Sequence, residues 1–365
     1  MTRARIPCSA PAPREDAPAV RAAIERVIAS GWFILGPEVA AFESEFAAAS
    51  GAAHAVGVGN GTDAIALILR ALGIGPGDEV ITTPLSAAYT ALAVMMAGAR
   101  PVFADVEPER LTLDPRAVAA AITPRTRAVL PVHLYGQAAD MQGIEEVASR
   151  HGLAVVEDCC QAHLALTNRR RVGTVGVAGA FSFYPTKNLG ALGDGGAVVT
   201  NDASLAERVK QLRNGGQTDR YRHELPGVNS RLDEMQAAIL RARLPYLPDW
   251  TARRRSLAAS YRQALAAAPV RLLAECDAGH VYHLFVVRAG RRAALQDHLA
   301  THGIETLVHY PIPIPHQSAV KAQNPQECPA ATVACGEVLS LPLYPALTSS
   351  DLADVASAVN TFQEG

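Results

Sequence analysis

Several features that would place this chain of 365 residues in a particular protein class are missing from it. Its 33 basic and 35 acidic residues give a formal net charge of -2, whereas nucleic-acid-binding proteins are usually basic. The first thirty residues lack the apolar core of a signal peptide, and no later apolar run is long enough to span a bilayer. We therefore expect a cytoplasmic protein with no nucleic-acid partner and no membrane contact.

The cysteines and glycines also lack familiar spacings. The six cysteines show no CxxC pattern, and the adjacent Cys159 and Cys160 cannot readily pair with each other. This usage predicts a reduced protein without a structural zinc or another metal. Residues 57–62 match neither GxGxxG nor the phosphate-binding loop ending in GK[ST], which argues against a nicotinamide-dependent sugar oxidoreductase.

What the chain does contain is a regular alternation of short apolar strands and helices. Strands are predicted at 54–58, 79–82, 101–105, 128–132 and 153–157, and helices at 13–30, 39–50, 64–72, 86–97, 115–122, 141–151, 205–212 and 232–244. Because the strands are apolar throughout, they predict a mostly parallel sheet covered by helices on both faces, an α/β fold. Ligands of such sheets collect at the carboxyl ends of the strands.

The remainder predicts a smaller second domain. A long helix at 249–268 is followed by a strand at 282–288, a helix at 293–302, a proline-rich loop and two last helices. This mixture fits a small α+β domain. We place the large domain at 1–245 and the small C-terminal domain at 246–365.

One lysine stands out because it lies in a glycine-rich turn between two predicted strands. Lys187 should therefore sit at the end of a buried sheet rather than on an exposed helix. Partial desolvation lowers the pKa of an amine, which makes it a nucleophile at neutral pH. This environment favours Schiff-base chemistry, although most lysines in proteins are solvated surface residues.

Two other segments come directly after predicted strands. Gly61 and Thr62 open a helix, where free N–H groups and the helix dipole attract an anion. Asp158 follows a buried strand, so its carboxylate must be paired or hydrogen-bonded. Taken singly, these are a tight turn with a helix cap and a structural carboxylate. Taken together with Lys187 at one sheet edge, they match the needs of pyridoxal 5'-phosphate (PLP).

Each group has a part to play toward PLP. Lys187 would form the Schiff base and later carry the substrate proton, while Asp158 would keep the pyridine nitrogen protonated. The N–H groups of Gly61 and Thr62 would hold the phosphate, and the hydroxyl of Ser182 would add to them.

The chain resembles the DegT/DnrJ/StrS family of PLP-dependent sugar aminotransferases, which has the fold of type I PLP enzymes. The resemblance covers nearly the whole chain, and its matching segments are 31–39, 60–64, 157–158, 161–163, 182–188, 229–238, 303–304 and 309–311. It implies that Lys187 carries PLP, that Asp158 pairs with the ring nitrogen, and that Gln161 lies beside the ring oxygen. It assigns the phosphate to Gly61, Thr62 and Ser182.

The resemblance also implies a shared active site. It places Asn229 at the phosphate of the neighbouring subunit, which predicts a homodimer. The family usually places an aromatic ring over the cofactor, at the position where this chain has Ala87. Tyr89, two residues on, is the candidate for that contact.

The run 184–196 is similar to the branch of the family that acts on 3-keto nucleotide sugars. It implies transfer of the amino group of L-glutamate to C-3 of a dTDP-linked 3-keto-6-deoxyhexose, with pyridoxamine 5'-phosphate as the intermediate cofactor form. Candidate sugar contacts are Tyr184, His309, Tyr310 and His316, and candidate partners of the donor carboxylate or the diphosphate are Arg213, Arg220, Arg222 and Arg231. Each of these residues has a packing, solvated or interface role as its alternative.

Three other functions are alternatives to this one. The first is amination at C-4 of a nucleotide keto sugar. The second is a PLP-dependent sugar dehydratase, but its relatives carry His at the position of the lysine, so Lys187 argues against it. The third is a regulatory protein that binds PLP or a nucleotide sugar without catalysis; it would tolerate the loss of Lys187 or Asp158, and both residues are present.

Overall fold

Alternating strands and helices build the larger part of the computed structural model, which describes residues 6–10, 15–320 and 327–363. The helices are α1 (Ala17–Ser30), α2 (Pro37–Ser50), α3 (Gly61–Ala71), α4 (Tyr89–Met96), α5 (Pro115–Ala121), α6 (Met141–His151), α7 (Ala203–Arg213), α8 (Glu234–Arg243), α9 (Leu247–Ala264), α10 (Arg292–Thr301), α11 (Pro329–Glu337) and α12 (Ser349–Thr361). The strands are β1 (His54–Val58), β2 (Glu79–Thr82), β3 (Arg100–Phe103), β4 (Thr126–Leu130), β5 (Ala154–Asp158), β6 (Leu166–Thr167), β7 (Arg170–Arg171), β8 (Ala178–Ser182), β9 (Gly196–Thr200), β10 (Gln217–Asp219), β11 (Arg222–His223), β12 (Arg271–Leu272), β13 (Phe285–Arg288) and β14 (Val338–Leu341).

The main sheet has seven strands in the order β1-β9-β8-β5-β4-β2-β3. Strands β8, β5, β4, β2 and β3 run parallel to one another, and β9 runs antiparallel to both β1 and β8. The prediction of a mostly parallel sheet is confirmed. Because β9 is reversed, its first residues lie at the same edge as the last residues of β1 and β8.

The strands bury side chains on both faces, as the apolar runs predicted. Val198 packs in a cluster with α3, α4 and α7, whereas its neighbours Ala197 and Val199 pack on the other face with residues of α2 and α8. A further cluster places α5 and α6 against β2 and β4. Side chains alternate across a strand, so two-sided burial requires an apolar residue at every position.

The C-terminal part forms a second core. The antiparallel strands β12, β13 and β14 pack with residues of α9, α10 and α12. Ile6 pairs with Ile304 and is buried in this core, although it lies at the opposite end of the chain. The N-terminal segment thus connects to the small domain, and the boundary near residue 245 stays a prediction.

Several element boundaries differ from those predicted. Helix α4 begins at Tyr89 rather than 86, and the predicted strand 282–288 begins at Phe285. Strand β14 was not predicted, because an apolar run of four residues does not distinguish a strand from a helix. Helix α1 begins at Ala17, and positions 13–14 of its predicted range lie outside the described residues. None of the described helices is both long and apolar enough to cross a membrane.

Candidate active site

The register of the sheet brings the predicted site residues to one edge. Val58 at the end of β1 pairs with Gly196, which pairs in turn with Ser182 at the end of β8. On the other side of β8, Asp158 at the end of β5 pairs with Ala180. Ser182 and Asp158 therefore lie at the same carboxyl edge as the turn that leads from β1 into α3.

The N-terminus of α3 lies against Ser182. Asn60 caps the helix, since its side-chain oxygen accepts a hydrogen bond from the N–H of Asp63 at 2.8 Å. A Cβ atom on Gly61 would lie 2.6 Å from the Sγ of Cys160 and 2.8 Å from the Cβ of Ser182. Only glycine fits there, so the start of α3 packs directly against Ser182, and Thr62 is half-buried beside it.

Asp158 is buried, with both carboxylate oxygens hydrogen-bonded. Its Oδ2 accepts from the hydroxyl of Thr90 at 2.8 Å, and its Oδ1 accepts from the N–H of Cys160 at 3.1 Å. These bonds fix the direction of the carboxylate at the end of β5. Sequence reasoning missed Thr90, whose one signal is its place beside Tyr89 at the start of a helix.

Beneath Asp158 lies a buried polar network that sequence reasoning also missed. Glu157 accepts hydrogen bonds at 2.8 Å from the N–H groups of Gly173, Val175 and Gly176, and it lies 3.0 Å from the Nε2 of His133. Cys159 lies within ligand distance of the same pair. Because N–H donors already occupy the Glu157 oxygens, we interpret this cluster as a structural hydrogen-bond network that stabilises the end of β5, and not as a metal site.

Lys187 lies in the turn after β8, half-buried. Its backbone N–H donates to the carbonyl of Tyr184 at 2.8 Å. Burial lowers the pKa of its amine, and the nearby Cys160 and Asp158 partly oppose that shift. The amine therefore has a lowered pKa and lies near the Asp158 carboxylate, and its predicted role as the PLP-binding lysine stays a prediction.

A hydrogen bond joins Gln161, which follows β5, to Tyr310 in the C-terminal part of the chain. The side-chain oxygen of Gln161 accepts from the N–H of Tyr135 at 2.7 Å, and its Nε2 donates to the Tyr310 hydroxyl at 3.0 Å. The neighbouring His309 lies 2.9 Å from the Ser340 hydroxyl through Nδ1. Burial, and then the charge of Lys187, lower the pKa of His309 to about 4, so this imidazole is neutral at pH 7.

Other candidates lie at the rim of this site or away from it. Tyr89 is 66% exposed and Tyr184 is 53% exposed. His316 is exposed in a short 3-10 turn, and Asn229 is exposed beside Asn214. Their predicted contacts with cofactor and substrate stay predictions.

The four candidate arginines differ in availability. Arg213 is buried, pairs with Glu43 and donates to the Gly57 carbonyl at 2.6 Å, so its fixed partners favour a structural role over substrate binding. Arg231 donates to Asn214 at 3.0 Å. The remaining two lie in the exposed hairpin of β10 and β11: Arg220 lies over the Tyr221 ring, and Arg222 pairs with Glu224 at 2.8 Å.

The residues at the sheet edge fit PLP. The glycine at position 61 leaves a space at a helix N-terminus that a Cβ would fill, which suits a phosphate. An amine with a lowered pKa and a hydrogen-bonded carboxylate lie on the same edge, which suits a carbonyl group and a pyridinium.

Comparison with known proteins identifies the family. Residues 15–360 match the DegT/DnrJ/EryC1/StrS aminotransferase family. The chain belongs to this family. It is 51% identical over 347 residues to the dTDP-3-amino-3,4,6-trideoxy-alpha-D-glucose transaminase of Streptomyces venezuelae, a match that covers 94% of this chain and 92% of that protein.

Two further comparisons agree on the fold. The structure of S. venezuelae DesV in complex with a ketimine intermediate superposes with a TM-score of 0.95 at 49% identity, covering 98% of each chain. The erythromycin biosynthesis sensory transduction protein EryC1 of Saccharopolyspora erythraea is 52% identical over 333 residues, covering 89% of this chain and 90% of that one. The predicted family, type I fold and aminotransferase class are confirmed: the chain is a PLP-dependent sugar aminotransferase.

Proposed function

We propose that this aminotransferase moves the amino group of L-glutamate to C-3 of a dTDP-linked 3-keto-6-deoxyhexose. The observation that carries the proposal is that Lys187 and Asp158 lie close together at the sheet edge, in a chain 51% identical to a transaminase named for a dTDP-3-amino sugar. Amination at C-4 is the alternative within the same chemistry. The run 184–196 favours C-3.

The residues of the chain divide the work between them. When bound, PLP supplies a ring that stabilises the negative charge left on carbon after a proton departs. Asp158, held by Thr90 and Cys160, keeps a proton on the pyridine nitrogen. The Nζ of Lys187 takes the proton from Cα of the amino donor, and in the second half-reaction it gives a proton to C-3 of the sugar. Its lowered pKa permits both transfers at neutral pH.

The same proposal includes a homodimer with shared sites. Trp32, Phe33 and Ile34 form an apolar loop in which they are 56%, 52% and 41% exposed. The loop is rigid, because Glu234 accepts hydrogen bonds at 2.8 Å from the N–H groups just after it. A fixed apolar patch of this kind favours a protein partner. In our proposal a second copy covers it and supplies Asn229 to the phosphate.

The test is the visible absorption spectrum of the purified protein. We expect an absorbance band from cofactor bound to Lys187, its loss on addition of L-glutamate, and its return with one member of a panel of nucleotide keto sugars. A 3-keto dTDP-sugar restoring the band would support the proposal, and a 4-keto sugar alone would move the site of amination. Lys187→Ala is expected to lack both the band and turnover.

A regulatory function is the second candidate, because EryC1, which is 52% identical to this chain, is named a sensory transduction protein. The same absorption experiment distinguishes an aminotransferase from a regulatory protein. A protein that binds PLP but neither loses the band with any amino acid nor responds to any keto sugar would favour regulation. Full turnover by the Lys187→Ala variant would overturn the assigned chemistry.

A further inference from the structure

One buried cation near Lys187 has no anionic partner within the described residues. Arg254, in α9, is 6% exposed, and its hydrogen bonds to described residues all start from Nη1. They reach the carbonyl oxygens of Tyr282, His283 and Leu343 at 3.3, 3.2 and 3.0 Å. Its Nε is buried without a partner. A guanidinium stays charged at neutral pH, and buried charges in proteins are normally paired.

Arg254 and Lys187 line the same cavity. The cavity measures about 130 Å³ and is lined by the N-terminal segment, the turn that carries Lys187, α9 and loops of the C-terminal part of the chain. Its polar lining includes Asn188, His283 and His309. Pockets that enclose a whole drug-sized ligand usually measure about 300–1,000 Å³. The cavity therefore suits a small ligand or one end of a larger one, and is too small for a nucleotide sugar.

The charge of the cavity is positive. Its described lining contains no Asp or Glu, and a second lining arginine, Arg243, already pairs with Asp16 at 2.7 Å. Both lining histidines are neutral at pH 7, because burial and then the charge of Lys187 lower their pKa values, that of His309 to about 4. Protonated Lys187 has the Asp158 carboxylate nearby, so Arg254 is left as the lining charge without an anion among the described residues. An anion is the ligand that would balance them.

Hydrogen bonds fix the orientation of the neutral His283 ring in the cavity lining. The Nδ2 of Asn188 donates to the Val281 carbonyl at 3.1 Å, which turns the amide oxygen toward the Nδ1 of His283, also at 3.1 Å. Nδ1 must then carry the proton of the neutral ring. The ring consequently adds a dipole rather than a charge to the cavity.

We propose that this cavity binds a carboxylate of the amino donor, with Arg254 as its ion-pair partner. The inference rests on the proposed aminotransferase function and deepens it. An amino-acid donor carries a carboxylate on the same Cα whose proton Lys187 must take, so this anion has to lie near Lys187. The keto-sugar ring that takes its place is neutral, and the diphosphate of the nucleotide sugar is attached at C-1 rather than at the reacting carbon. Arg254 should therefore serve the half-reaction with the amino donor and not the half-reaction with the sugar.

The alternative is a purely structural role, in which Arg254 only fixes α9 to the segments around Tyr282, His283 and Leu343 through their three carbonyl oxygens. That role would affect folding and both half-reactions alike. The two roles are separated by measuring each half-reaction alone in the holoenzyme. The variants are Arg254→Gln and the charge-conserving Arg254→Lys. The matched control is Arg255→Gln, the next residue of α9, which donates to the His280 carbonyl at 2.8 Å and does not line the cavity.

The readout is the cofactor absorbance, titrated first with L-glutamate and then with the aminated nucleotide sugar. Loss of hydrogen bonds to a charged group costs about tenfold to hundredfold in affinity. We expect Arg254→Gln to raise the apparent Kd for glutamate by that factor, Arg254→Lys to raise it less, and Arg255→Gln to leave it unchanged. The response to the aminated sugar should stay within about twofold of wild type in all three.

A wild-type measurement covers the case in which Arg254→Gln does not fold. Glutarate, a dicarboxylate without an amine, should slow the glutamate half-reaction competitively and leave the sugar half-reaction unaffected. Unchanged glutamate affinity in a folded Arg254→Gln variant, or no competition by glutarate, would overturn the inference alone. A wild-type protein whose absorbance no amino acid changes would instead overturn the proposed function and this inference with it.

Discussion

At the scale of single residues, the direction of the Asp158 carboxylate depends on one hydroxyl. Thr90 donates to Oδ2 at 2.8 Å, and the two residues are 68 positions apart in the chain. A hydrogen bond to a charged group contributes about 1.5–3 kcal/mol. Without it, the carboxylate is free to turn away from the pyridine nitrogen that it must face.

We therefore expect Thr90→Val, which keeps the shape and removes the hydroxyl, to lower kcat/KM by on the order of tenfold. Thr90→Ser keeps the donor and should retain most of the activity. Steady-state kinetics with both substrates, together with thermal unfolding of each variant, measures the effect. Wild-type kcat/KM in a folded Thr90→Val enzyme would show that the Cys160 N–H alone holds Asp158.

The residues that sequence reasoning found and missed differ in a physical respect. Lys187, Asp158 and Gly61 lie at or just after the ends of apolar strands, so the local hydrophobic pattern is enough to single them out. Thr90 and Arg254 act through contacts with residues far along the chain, and nothing in their own neighbourhood distinguishes them from ordinary helix residues. Their roles depend on packing, which a single sequence does not specify.

A second residue-scale property is the acid sensitivity of buried imidazoles. His163 is fully buried and packs against Phe181 and Phe183, with ring centroids 5.5 and 5.7 Å away. Burial lowers its pKa to about 3 from an ordinary 6.5. Between these values the unfolded chain binds a proton that the folded chain rejects, so acid favours unfolding.

The expected result is a free energy of unfolding that falls below pH 6.5 and continues to fall toward pH 3. His163 should contribute about 1.4 kcal/mol of that loss per pH unit. His163→Leu, close in volume and unable to titrate, should lose correspondingly less stability on acidification. Urea unfolding of the holoenzyme at pH 7 and pH 5 measures the slopes, with the exposed His151→Gln as control. Equal slopes for wild type and His163→Leu would contradict the assignment.

At the scale of secondary-structure elements, α3 comes unusually close to the end of β8, where we predict that the phosphate binds. A Cβ on Gly61 would lie 2.6 Å from Cys160 Sγ, and a Cβ on Gly196 would lie 2.4 Å from the carbonyl carbon of Asn60. Because neither glycine has a side chain, the turn after β1 can pack closely against the ends of β8 and β9. The helix N-terminus thereby reaches the sheet edge instead of standing off it.

Gly61→Ala is expected to displace the first turn of α3 and to weaken PLP binding by tenfold or more, on the order of the loss of one or two charge-assisted hydrogen bonds. Gly336→Ala is the matched control, since it also lies in a helix and its added Cβ meets nothing within 4 Å. The Kd of PLP for the apoenzyme, measured by fluorescence titration, is the readout. Equal affinities in the two variants would remove α3 from the phosphate site.

Whether a strand could be predicted depends on whether its defining features lie in its own stretch of sequence. Strands β1 and β2 were predicted with their observed bounds, because glycine and proline mark their ends and burial on both faces keeps them apolar. The reversed direction of β9 and the existence of β14 escaped prediction. Both depend on which strand lies alongside, and that is a property of the tertiary fold.

At the scale of the whole molecule, two surfaces of the single chain look incomplete. The loop of Trp32, Phe33 and Ile34 exposes large apolar side chains on a backbone held in place by Glu234. Asn229 is exposed, although the family resemblance assigns it to a phosphate. One second copy, related by a two-fold axis, would satisfy both, because an isologous interface repeats each contact in the opposite direction.

A shared active site makes a prediction that no single-chain site can meet. Lys187→Ala lacks the nucleophile in its own half-site, and Asn229→Asp would set a negative charge against the phosphate of the opposite subunit. Each variant alone should be nearly inactive. When their subunits exchange at random, half of the dimers are mixed. In each mixed dimer one site holds both defects and the other is intact, so about a quarter of wild-type activity should return.

Native mass spectrometry of differently tagged subunits shows whether mixed dimers have formed, and the aminotransferase assay of the same sample gives the activity. Each variant exchanged against itself serves as the control and should stay inactive. If Asn229 instead served the site of its own chain, each mixed dimer would hold one defect in each site and the activity would stay low. Mixed dimers without recovered activity would therefore place both residues in one subunit's site, and a monomer in solution would remove the shared site altogether.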